Sequence, residues 1–183
     1  MLLIKFVFKQ RLSDYGLGLP PRRLWKLSAQ TFIVLMALCL PAFLIATGNA
    51  DMRATYPFYR PFKDAGEFIL YELTYLPFFI AIEFIFRGYL LFGLAGVRDE
   101  EVRRRGTNLG VSGELFFGKY ALLIQMLSYT AWRLGKPLPE LWGTLAWGLA
   151  AGVMAYTIKS IWPVVAAHWL LNVVFDALVG FAP

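Results

Sequence analysis

Two ionisable side chains stand in the otherwise apolar stretch IEFIFRGYLLFGL, from Ile82 to Leu94: Glu83 and Arg87. Four residues apart on a helix, they share a face and can pair. The same spacing returns twice. Gln125, Tyr129 and Arg133 form one stripe, and His168, Asn172 and Asp176 form another. Glu72 precedes Glu83 by about three helical turns and falls near the same face. Glu and His are acid–base candidates. His and Asn side chains can donate hydrogen bonds to a developing oxyanion.

Other chemistries fit less well. A single His with carboxylates is a thin ligand set for zinc, so no metal site is expected. Cys39 is the only cysteine, which excludes an intramolecular disulfide. No Gly-rich phosphate loop is present, and no cofactor is expected. His168 as the axial ligand of a pigment or cofactor is kept as a minor alternative.

Each residue also has a structural reading. Glu83–Arg87 can be a neutralised pair that lets a helix sit in lipid. His168 can be an interhelical hydrogen-bonding residue, and Gln125 and Tyr129 can be interhelical glue. Arg133 and Asp176 lie near expected helix ends and are expected to snorkel to the interface. Taken together, three stripes in one small bundle point to a buried polar site.

The elements that carry these residues follow from composition. The chain has 183 residues, 58% of them apolar, and a mean hydropathy of +0.57. That is well above a soluble domain and indicates an all-α polytopic membrane bundle. Five spans are expected, at about Ala29–Thr47, Phe68–Gly96, Leu115–Arg133, Trp142–Ile158 and Ile161–Ala182. The second is long, and is expected to tilt or bend near Pro77; the fourth is short. Residues 1–28 read as a basic interfacial segment and 29–183 as the membrane domain. The net charge of +6 is explained by topology and lipid headgroups rather than nucleic acid, since basic residues flank the apolar runs. Their bias places the N-terminus in the cytoplasm and the C-terminus outside.

The motifs EFIFRGYLLFGL, LSYTAWRLGKP and SIWPVVAAHWLLNVVFD, in that order, resemble the CPBP family. These are the CaaX-protease and bacteriocin-processing (Abi) glutamic intramembrane proteases. The resemblance runs over about 68–176, and LSDYGLGLPPRRLWK is similar to the segment that often precedes that core. It implies a Glu-Glu pair followed by Arg, a Phe-x-x-x-His, and a final His-x-x-x-Asn. The first Glu and first His would activate water, and the final His and Asn would stabilise the oxyanion. Here the second Glu matches Glu83, the Arg matches Arg87, and the last motif is His168 and Asn172. The first Glu falls on Ile82, and the first His on Arg133, which stays protonated and cannot act as a base.

Two main functions follow from that pattern. The chain is a catalytically degenerate member that binds a membrane protein or peptide partner or serves as a subunit of a larger complex, or it is an active endopeptidase. In the second case Glu83 is the base, Arg87 orients it, and His168 and Asn172 are the oxyanion donors. The expected location is the bacterial cytoplasmic membrane. The substitutions predict a closed ion-pair knot rather than a water-accessible cavity, with Arg133 clamped to Glu83 or to a partner's carboxylate.

Overall fold

The computed structural model describes residues 1–95 and 120–181. Within them every regular element is a helix. The long elements are α1 (Trp25–Ala46), α3 (Ala65–Glu83, continuing to Ala95), α5 (Leu138–Ile158) and α6 (Trp162–Gly180). Two shorter helices are α2 (Ala50–Thr55) and α4 (Ala121–Trp132). Four helices among the described residues are long and apolar enough to cross a bilayer. The beginning of the expected third span, and the basic loop before it, lie outside the described residues.

Boundaries differ from expectation where caps decide them. Asp64 caps α3, its Oδ1 accepting the Glu67 N–H at 2.9 Å, so the helix starts before the apolar run does. α5 begins at Leu138 with Pro139 in its first turn, where a missing N–H costs nothing. It therefore reaches 21 residues and is not short. Glu140 sits in that first turn, favoured by the positive end of the helix dipole.

The α3 span is 31 residues, about 46 Å at 1.5 Å per residue, against roughly 30 Å of hydrocarbon. Its second half, Phe84–Phe92, is a π-helix, a wide turn often found at functional sites. This segment carries Arg87 and packs on α4 and α5.

Small residues set the α4–α5 contact. Gly148 and Gly152 lie one turn apart on α5, and a Cβ at Gly148 would stand 3.2 Å from the Met126 backbone. The Gln125 amide uses that closeness, donating to the Gly148 carbonyl at 2.6 Å.

At the opposite end of the bundle, α5 and α6 are joined tightly through Lys159, which adopts a left-handed conformation, and the fully buried Ser160 and Ile161. The N-terminal segment docks there. Ile161 N–H donates to Gly16 O at 2.9 Å, Ser160 Oγ to Gly18 O at 2.8 Å, and Trp162 Nε1 to Leu17 O at 2.9 Å. Tyr15 is buried with it, while Leu2, Phe6 and Val7 remain exposed. Ile33, Val34, Leu38 and Ile45 give α1 an exposed apolar side suited to lipid.

Candidate functional site

Glu83 lies at the centre of the bundle, where α3 passes into its π-helical half, and has no solvent exposure. Its Oε1 stands 2.6 Å from His168 Nδ1 and accepts from Trp147 Nε1 at 3.2 Å. Its Oε2 is 3.2 Å from Arg87 Nε. The i,i+4 pairing read from spacing is thus present, and α6 and α5 each add one hydrogen-bond partner.

Arg87 is also fully buried, and its guanidinium makes no well-aligned hydrogen bond. It lies instead over the Tyr129 ring, 4.2 Å from the centroid. Charge neutralisation by Glu83 and the face of an aromatic ring hold it in the apolar interior. The three stripes meet here: Glu83 and Arg87 from α3, Tyr129 from α4, His168 from α6.

Beside this knot is a cavity of about 150 Å³. Phe79, Tyr129, Trp147, His168 and Asn172 are among the residues that line it, as are Arg133 and Glu140. Neither Glu83 nor Arg87 reaches it. The expectation of a knot in place of a cavity therefore needs correcting, since the bundle contains both, side by side. The knot shuts in the carboxylate, and the aromatic side chains around it leave a space next to His168.

Arg133 does not snorkel, because a carboxylate is within reach inside the bundle. Its NH1 donates to Glu140 Oε1 at 2.8 Å, and it is 9% exposed. Its guanidinium lies 4.7 Å from the Trp132 ring and 5.6 Å from Tyr129. Tyr56 OH donates to the other Glu140 oxygen at 2.8 Å. Burial and the Glu140 charge push the Tyr56 phenol well above its ordinary pKa. Arg133 thus meets a carboxylate as expected, but neither Glu83 nor one from a partner. It is Glu140 of the same chain, a residue that falls between the third and fourth expected spans.

Asp176 does not snorkel either. It is 1% exposed and accepts from Asn172 Nδ2 at 2.8 Å. Glu72, 2% exposed, faces the same cluster without a well-aligned hydrogen bond. Asn172 therefore spends its amide on Asp176, although it also borders the cavity. Ile82, at the position of the first motif Glu, is 4% exposed and belongs to the apolar core. No group of His, Cys, Asp and Glu side chains among the described residues has the arrangement of a metal site.

A family model described as Rce1-like, type II CAAX prenyl endopeptidase Rce1-like, matches residues 65–174, more than half of the chain. No curated protein and no solved structure matches.

Proposed function

The chain belongs to the Rce1-like family of type II CAAX prenyl endopeptidases, and from that premise we propose that it is a non-catalytic member. In this reading it is an integral protein of a bacterial cytoplasmic membrane whose cavity holds a segment of a membrane protein or peptide partner. The observation that carries the proposal is the closure of Glu83. Hydrolysis of a peptide needs a base within hydrogen-bonding reach of a water and of the scissile carbonyl. Glu83 has no exposed surface, both its oxygens face protein donors or charges, and the cavity does not touch it. At the two motif positions where the family resemblance expects water activation, this chain has an aliphatic side chain and a permanent cation.

The cavity supports the binding half of the reading. Its lining is rich in aromatic side chains and carries a few polar groups, the usual make-up of a ligand site. The alternative, in which Glu83 is the base and His168 and Asn172 the oxyanion donors, requires Glu83 to leave Arg87 uncompensated in the membrane interior. The test is a peptidase assay of the purified protein in detergent or liposomes, using prenylated and unprenylated membrane peptides. No cleavage above a Glu83→Ala control is expected. Robust cleavage lost in that variant would overturn the proposal.

A further inference from the structure

We infer that His168 enters the cavity as a hydrogen-bond acceptor, so the bound segment must present an N–H or O–H group to it. This rests on the reading that the cavity is a binding site, and deepens it by naming the group recognised. The argument begins at the other ring nitrogen. His168 Nδ1 is 2.6 Å from Glu83 Oε1, so one proton lies between them. Trp147 Nε1 is a donor only, and the same Oε1 accepts from it. Arg87 Nε lies 3.2 Å from Oε2, and no other carboxylate pairs with this guanidinium among the described residues. A neutral Glu83 would leave the Arg87 charge buried and uncompensated. Glu83 is therefore the carboxylate, which accepts and does not donate.

His168 Nδ1 must then carry the proton. A second proton on Nε2 would make an imidazolium. The cluster of one carboxylate and one guanidinium would gain a net positive charge deep in the bundle, where unpaired charge is most costly. The ring is thus neutral with a bare Nε2. The residue is 7% exposed and lines the cavity, and Nε2 makes no hydrogen bond within the described residues. The lone pair is left for a ligand. An Nε2 without a proton cannot donate to an oxyanion, so this tautomer removes the role that the family resemblance gives His168. Size narrows the ligand further. An apolar cavity of about 150 Å³ takes a group the size of benzene. The class is one aromatic or compact apolar group carrying one donor, such as a phenol or an indole.

His168 is the only histidine of the chain, so a histidine-labelled sample gives one imidazole in the NMR spectrum. The expected result at neutral pH is a proton on Nδ1 and a bare Nε2. A proton on Nε2, or on both nitrogens, overturns the inference. Phenol and anisole serve as probes of similar shape, with and without a donor. Phenol is expected to shift the Nε2 resonance and to bind about fivefold tighter, as about 1 kcal/mol of hydrogen bond gives. Equal affinities, or no effect on Nε2, would also overturn it. Both measurements use the unaltered protein, so neither depends on a variant that folds. Neither involves cleavage. Peptidase activity would sink the functional proposal and leave the tautomer standing, while an Nε2 proton would do the reverse.

Discussion

Replacing Glu83 by Gln keeps the shape of the side chain and removes its charge, which isolates what that charge does. Arg87 would then be a guanidinium at 0% exposure whose nearest anion is gone. Its contact with the Tyr129 ring remains, but it has no well-aligned hydrogen bond to fall back on. Breaking a buried pair by removing one partner costs about 3–5 kcal/mol. The Tyr129 ring offsets about 2 kcal/mol of a desolvated cation's cost before and after the change, so it does not rescue the variant. Removing both charges tells a different story. Glu83→Gln with Arg87→Met takes two desolvation penalties away, and such replacements are often neutral or stabilising. The expected single-variant loss is about 3–5 kcal/mol, and the double variant should recover at least about 2 kcal/mol of it. Reversible unfolding in mixed detergent micelles measures both, and the cycle closes with Arg87→Met alone. A Glu83→Gln variant within about 0.5 kcal/mol of the parent would refute the account of Arg87 as a buried, charge-compensated cation. So would a double variant as unstable as the single.

Three further outcomes follow. A Cβ at Gly152 would come 2.5 Å from the Gln125 amide nitrogen, so Gly152→Ala should push that amide off the Gly148 carbonyl and cost about 1–3 kcal/mol in the same unfolding assay. Tyr129→Leu removes the ring under Arg87 and should cost about 2–4 kcal/mol, whereas Tyr129→Phe should stay within about 1 kcal/mol. Tyr56 has its pKa raised in the folded state, so the stability it contributes is full below the unfolded value of about 10 and is lost as pH rises beyond it. The stability difference between the parent and Tyr56→Phe should therefore shrink between pH 9 and pH 11, taken as roughly one unit either side of that value, and a difference that grows would contradict the assignment.

The sequence made some of this site readable and hid the rest for physical reasons. Residues that interact within one helix announce themselves by spacing, and both Glu83–Arg87 and Asn172–Asp176 appear as i,i+4 pairs. Gln125 as interhelical glue was also legible, because a lone amide in an apolar helix must find a partner. Contacts set by how helices pack were not legible. Trp147 reaching Glu83 across 64 residues depends on how α5 is turned about its axis, and nothing in the local sequence records that. Glu140 was missed because the apolar run starts after it, while Pro139 had already begun the helix. Arg133 reads as an interfacial side chain because it stands at the end of an expected span, and nothing local to it announces Glu140 as a partner. The overall class was never in question, because apolar runs of this length allow little besides a membrane bundle.

The docking of residues 16–18 onto residues 160–162 has a consequence for how the molecule is made. These contacts join positions 142 and 145 apart, so they close only when the last two helices are in place. Tyr15 does not wait for them, because it stacks on Tyr89 of α3 with 6.0 Å between ring centroids. The segment thus has one docking surface within reach early, on α3, and a second that forms only late because its contacts are non-local. The hydrogen bonds at Gly16 and Gly18 tie the N-terminal segment to the turn between the last two helices, so that turn is braced from outside the hairpin it closes.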